Sequence, residues 1–179
     1  MKQVVYLIRH ASPDWNRKDL IYHLPPGPPL REQGKEEARA LGAFLLQTGA
    51  RQVFTSPLER CLNTAQIVAE ILAASLQVVP GLTEWQPGEL EQAVQQRILP
   101  VFEQALQTGQ PACLVTHGGP ILALLGALGM PDEPRRKLCT FDHNNILPPA
   151  GVWKVSRDEM EKPWEMHLVF KPVSETLVV

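Results

Sequence analysis

The chain predicts an α/β fold, a three-layer αβα sandwich whose central sheet is mainly parallel with an antiparallel edge. Three observations carry this. Short apolar runs, VVYLI at 4–8 and ACLVT at 112–116, suit strands buried on both faces. Between such runs stand segments with apolar residues at helical spacing, so strand and helix alternate. Near the end, GVWKVS (151–156) and WEMHLVF (164–170) flank a charged turn, DEMEKP, which predicts an antiparallel pair.

Taken in order, the first strand ends at Arg9 and His10, and Pro13 stops its continuation. Residues 13–30 are irregular, because PPGPPL (25–30) fits neither a helix interior nor a central strand. Such a segment reads equally as a pocket wall or a stiff connector. From Arg31 the pattern turns helical. Ala38, Leu41, Leu45 and Leu46 form the apolar stripe, Glu32, Glu36 and Glu37 lie near the start, and Gly49 marks the end. VFTS (53–56) is a short strand. Ser56 is the expected cap of the next helix, with Pro57 in its first turn and Leu58, Leu62, Ala65, Val68 and Leu72 facing inward.

LQVVP (76–80) reads as a strand and GLTEWQPGE (81–89) as a loop. Leu90 to Leu106 is a helix expected to break or kink at Pro100. The second buried strand ends in His117, and GGP then opens a helix through ILALLGALGM that is apolar nearly all round. Residues 131–148 are loop-rich with room for a short helix, and 173–179 are expected to fray.

The length of 179 residues suits one domain, 1–179, with a sizeable core. A net charge of -2 gives no global field for nucleic acid or an anionic membrane, so any anion site must be a local cluster of Arg and His. No apolar run approaches the ~20 residues of a membrane helix. The opening MKQVVYLIRH lacks a signal-peptide core, and Cys61, Cys113 and Cys139 stand apart like reduced thiols, so a cytoplasmic protein is expected. Neither C-x-x-C nor H-x-x-x-H spacing occurs, so no metal and no cofactor is expected.

In a parallel sheet, ligands bind beyond the carboxyl ends of the strands. Arg9, His10 and His117 fall at that edge. Glu84 follows a strand there, and Arg60 lies early in a helix that starts there. Two guanidinium forks suit phosphate oxygens, and a histidine that titrates near neutrality suits nucleophilic or acid–base work. A second histidine and the amides after Gly118 and Gly119 add donors, while a carboxylic acid protonates a leaving oxygen. This set fits phosphoryl transfer. Taken singly, Arg9–His10 also fits a surface turn, Arg60 an exposed helix arginine, and Glu89 or Asp14 the acid.

In its motifs, the chain resembles the histidine phosphatase superfamily, branch 1, also called phosphoglycerate mutase-like. LIRHASPDWN is similar to the family's strand–RHG–x–x–x–W–N, and PPLREQGKEEARALG to P-L-x-x-x-G-x-x-x-A. SPLERCLNTA is similar to S-P-x-x-R-x-x-x-T-A, LTE to the acid loop, and LVTHGG to V-x-H-G-G. The resemblance runs in order over residues 4–120 and less clearly through HNNIL. It implies His10 as phosphorylated nucleophile, Arg9, Arg60, His117 and Gly118 around the phosphate, Glu84 as proton donor, and Asn16 as a phosphate contact. Ala11 departs from the family's Gly and adds a methyl that disfavours positive φ. His23, His143 and His167 have no matched role and read as surface or structural. Trp15 and Trp85 read as packing or pocket lining.

The resemblance covers mutases and phosphatases alike. Little more than one helix separates Glu84 from His117, with few basic residues between, so hydrolysis of a small phosphomonoester is favoured. A mutase, a phosphohistidine protein phosphatase and a non-catalytic phosphate-binding protein are the other readings. The sequence does not set the oligomeric state.

Overall fold

A computed structural model describes residues 2–172. The strands are β1 (Gln3–Arg9), β2 (Gln52–Thr55), β3 (Ser75–Val78), β4 (Ala112–Thr116), β5 (Val152–Arg157) and β6 (Glu165–Phe170). The helices are α1 (Glu32–Leu45), α2 (Glu59–Leu72), α3 (Glu91–Gln107), α4 (Gly118–Ala127) and α5 (Asp132–Lys137). Residues 173–179, where fraying is expected, lie outside the described residues.

The sheet order is β3-β2-β4-β1-β5-β6. β3, β2, β4 and β1 run parallel, and β5 and β6 add the antiparallel edge. Alternate residues of β1 face opposite layers, as the two-residue strand period requires. Tyr6 and Ile8 join Leu41, Leu45, Ala65 and Val68 of α1 and α2. Val5 and Leu7 join Ile98, Phe102, Ile121 and Leu124 of α3 and α4. The expected three-layer sandwich is therefore the observed one.

Three local expectations need correction. Leu46 is exposed, because its N–H still bonds the Gly42 carbonyl and the α-helical turn sets it about 100° past the buried Leu45, off the stripe. Pro100 does not break α3, which runs through it. Its missing N–H removes the bond to the Gln96 carbonyl, and both residues lie on the exposed side, so no buried acceptor is left unpaired there. Ser56 is not the cap of α2, which starts at Glu59 after Leu58. The Ser56 hydroxyl accepts from the Leu58 N–H at 3.3 Å and meets His117 at 2.9 Å.

Gly34, the glycine of the PLREQG segment, lets α1 approach the chain that follows His10. A Cβ there would stand 2.2 Å from the Ser12 carbonyl oxygen, which is backbone. Helix propensity alone would favour alanine by about 1 kcal/mol, whereas overpacking costs about 1–3 kcal/mol. The clash should win. Gly34→Ala is expected to lower the thermal midpoint by several degrees, at about 2–4 °C per kcal/mol for a chain of this size. A raised midpoint would show that close approach is not what the glycine serves.

Candidate active site

The register of two strands sets the centre of the site. β1 and β4 pair in parallel with Arg9 opposite Thr116, and the His10 N–H donates to the Thr116 carbonyl at 2.9 Å. The next residues, His10 and His117, therefore emerge side by side, with ring centroids 5.3 Å apart. α2 is tied to the end of β1 through Thr64, whose hydroxyl accepts from the Ala11 N–H at 3.0 Å and donates to the Arg60 carbonyl at 2.7 Å. That tie places Arg60, fully buried, beside the two histidines. The acid loop is held by Arg97, which donates to the carbonyls of Gly81, Thr83 and Glu84 at 2.9, 2.8 and 3.1 Å.

His10 is held by its own backbone. Its Nδ1 lies 2.8 Å from the Ala11 carbonyl, which accepts only, so Nδ1 carries the proton and Nε2 the lone pair. Burial pushes the His10 imidazole well below its ordinary range, and Arg60 and Arg9 push it the same way. Burial and Arg60 do the same to His117. The His117 Nδ1 accepts from Arg60 Nη2 at 3.1 Å, which leaves Nε2–H to donate to Ser56 Oγ at 2.9 Å. Ala11 lies outside the left-handed region, and its methyl packs in the core, so it brings no backbone strain.

Glu84 Oε2 stands 3.4 Å from Arg60 Nη2 and 3.3 Å from His117 Nδ1. Burial raises its carboxyl above the usual range, although the Trp85 N–H and Arg60 pull it down. The rival acids are engaged elsewhere. Glu89 pairs with Arg97 Nε at 2.8 Å, which lowers its carboxyl, and Asp14 accepts from the Asn16 N–H at 3.0 Å.

Arg9, His10, Glu84 and Gly118 share a cavity of about 470 Å³. Arg60 and His117 lie fully buried behind it. Five expected site residues, Arg9, His10, Arg60, Glu84 and His117, thus converge with Gly118. Asn16 does not join them. Asp14 folds residues 14–17 into an outward turn, and Asn16 is exposed and outside the cavity lining.

Of the rest of the wall, only Trp15 was among the residues read from the sequence as packing or pocket lining. Trp15 and Tyr22 form one side, and His143, Asn144, Asn145 and Ile146 another. His143 therefore lines the cavity, which corrects its reading as merely surface or structural. Asp142 holds the Arg9 fork in a bidentate pair at 2.7 and 2.8 Å, and the Leu147 carbonyl accepts from the same arginine at 3.0 Å. HNNIL carried a faint family signal, but the pairing of Arg9 with Asp142 spans 133 positions and leaves no local pattern.

His10, Glu84 and His117 bring one ligand atom each to within 4.8 Å of one another. They come from three separate elements, which is why no metal-ligand spacing appears in the sequence. The fit for a cation is poor. Arg60 occupies His117 Nδ1, and Arg9 and Arg60 both act on His10, so the local field favours an anion.

The two depressed imidazoles couple folding to pH. Their folded values lie below the unfolded value of about 6.5, so their contribution is complete above that pH and is lost as pH falls. Below about 6.5 only the unfolded chain takes up the protons, at a cost up to about 1.4 kcal/mol per pH unit for each histidine. Urea melts between about pH 7 and pH 5 should show a shallower loss in His10→Gln than in the native chain. An identical slope would mean that folded His10 protonates normally.

The same family emerges from comparison with known proteins. The profile described as "Histidine phosphatase superfamily (branch 1)" matches residues 5–93. A protein of Serratia proteamaculans named "Probable phosphoglycerate mutase GpmB" is 34% identical over 100 residues, 56% of this chain and 46% of that protein. A 2,3-bisphosphoglycerate-dependent phosphoglycerate mutase of Bartonella henselae is 37% identical over 95 residues, 50% of this chain and 46% of that protein. These matches span about half the length of those relatives. Among solved structures, a mycobacterial glucosyl-3-phosphoglycerate phosphatase superposes with a TM-score of 0.76 at 19% identity, covering 97% of this chain and 100% of that one. A phosphoglycerate mutase from Bacillus anthracis str. Sterne gives 0.73 at 17% identity, covering 94% and 92%. With the ordered motifs folded onto one sheet edge, the chain belongs to branch 1 of the histidine phosphatase superfamily.

Proposed function

We propose that the chain is a phosphatase that hydrolyses a phosphomonoester through a phosphohistidine on His10, without a metal. The observation that carries this is the lone pair of His10 Nε2, fixed by the Nδ1–H bond to Ala11 and set beside Arg9 and Arg60. Nε2 attacks phosphorus, and the bond to the ester oxygen breaks. Arg9, Arg60 and the Gly118 amide stabilise the phosphoryl oxygens, and His117, whose Nδ1 accepts from Arg60, orients that guanidinium. Glu84, its carboxyl raised by burial, gives its proton to the leaving oxygen. Water then attacks phosphorus, Glu84 takes the proton, the N–P bond breaks, and neutral His10 returns.

The wall supports hydrolysis over phosphoglycerate mutation. Among the described residues, Arg9 is the sole Lys or Arg lining the cavity, and its fork faces Asp142. Tyr22, Trp15, Asn144, Asn145 and Leu122 offer a neutral surface. A substrate carboxylate or second phosphate would lose water there without gaining a cation. The mutase reading has its support in the names of the relatives, and a phosphohistidine protein is a further candidate substrate.

The purified protein should hydrolyse some members of a phosphomonoester panel, keep its turnover in a chelator, and show no phosphoglycerate isomerisation. Quenching with labelled substrate should trap an acid-labile, alkali-stable phosphoprotein that His10→Ala does not form. Label on another residue type, or activity restored only by a divalent ion, would overturn the reading.

Glu84→Gln separates the proton donor from the phosphate holders. General acid catalysis is worth about 10²–10⁴-fold, so an alkyl phosphate should lose rate on that scale. An activated aryl phosphate, whose oxyanion leaves unprotonated, should lose far less. Equal losses for both esters would remove Glu84 from this role.

A further inference from the structure

The irregular segment 13–30 returns to the site at Tyr22. Its hydroxyl lies 3.2 Å from His10 Nε2. Since the Ala11 carbonyl fixes the His10 proton on Nδ1, Nε2 is the acceptor and the phenol donates. The ring is gripped on both sides. The Arg60 guanidinium lies 3.8 Å from its centroid on one side, and Trp15 stacks on it with centroids 4.9 Å apart and planes at 11°. Arg60 Nη1 also donates to the Tyr22 carbonyl at 2.7 Å. Trp15 in turn meets His143, its ring centroid 5.6 Å away.

This arrangement occupies the place that the chemistry requires. A phosphorus poised for attack sits about 3–3.5 Å from the nucleophilic atom. The phenolic oxygen already stands at that distance, so both cannot be there together. We propose that Tyr22 is a gate at the nucleophile: its hydroxyl holds His10 Nε2 in the resting protein, and an incoming phosphoryl group displaces it together with Trp15. The inference rests on the reading of His10 as nucleophile.

The movement needs only the side chains at the tip of the segment. Its ends are closed on each other by the Pro13–Leu30 bridge, and the carbonyls of Tyr22, His23 and Pro26 accept from Arg60, Gln86 and Glu59, so the backbone is held while the Tyr22 and Trp15 rings swing. Trp15, Ile21 and Leu24 are exposed along it. Displacement exchanges one neutral hydrogen bond for charge-assisted bonds between phosphoryl oxygens and arginine, so substrate favours the open form. Once water has cleaved the phosphoenzyme, the phenol competes with product for Nε2 and aids its departure.

Tyr22→Phe tests this, because it keeps the ring between Arg60 and Trp15 and removes the hydroxyl alone. Diethyl pyrocarbonate acylates a free imidazole nitrogen, and its rate at His10 is read by peptide mass mapping. His10 should label about fivefold faster in the variant, the effect of one neutral hydrogen bond, and inorganic phosphate should bind about fivefold more tightly. Equal or slower labelling, or weaker phosphate binding, would overturn the gate, since the hydroxyl would then be a ligand of phosphate and not its competitor. In the native chain, phosphate should change tryptophan fluorescence by unstacking Trp15, and the change should vanish in Trp15→Phe. An unchanged signal in the native chain overturns the gate even if Tyr22→Phe fails to fold. Faster labelling in a protein that forms no phosphoenzyme would keep the resting contact and reject the phosphatase reading. A phosphoenzyme with unchanged labelling would reject the gate alone.

Discussion

A fully buried cation governs the site. Arg60 is removed from water, and its desolvation must be offset by what surrounds it. The surroundings are weakly anionic at best: a tyrosine face, a backbone carbonyl, a neutral histidine nitrogen and a carboxyl raised by burial. Among the described residues its Nε has no partner at all. Such a cation is under-compensated, and the excess positive field has two results. With burial, which acts most strongly, it keeps both neighbouring imidazoles neutral, and it makes an anion the complement that the interior lacks.

The scaffold holds that cation through backbone register. Strand pairing puts the two histidines side by side, and one threonine hydroxyl joins the helix that carries Arg60 to the chain after His10. Arg97 does for the acid loop what Thr64 does for the helix, binding three carbonyls, of Gly81, Thr83 and Glu84, outside any strand or α-helix. The reacting groups thus stand on parts whose own polar atoms are satisfied, as precise placement requires.

The centre of the site was legible because strand ends leave short, local marks. An apolar run stopped by Arg-His, or by His-Gly-Gly, is visible in a few residues. The αβα layering was legible for a similar reason, since its periods repeat over each element. Asn16 was misplaced because the turn around Asp14 aims it outward, and motif spacing does not report side-chain direction. Ser56 was misread because a serine before Pro-Leu looks like a cap, while its hydroxyl here meets the Leu58 N–H ahead of the helix and a distant imidazole. Tyr22, Asp142 and His143 were missed because their roles are defined by partners far away in the chain. The Tyr22–His10 and Arg9–Asp142 contacts depend on how two irregular segments fold back, and irregular segments have no period.

The single antiparallel neighbour of β1 has a consequence for how such a site diversifies. Because β5 runs against β1, the chain that enters β5 arrives at the edge where β1 ends, and Ala150 and Gly151 bond directly to His10 and Arg9. A parallel strand in that place would have delivered this segment to the opposite end of the sheet. Residues 143–146 therefore line the cavity while remaining outside the strands and helices that carry the two histidines, Arg60 and the acid loop. Exchanges at His143 and Asn144 change the wall without touching the parallel strands, whereas Asp142 and Leu147 join the same stretch to Arg9. Evolution or an engineer can thus retune the wall between those two anchors while the parallel strands stay in place.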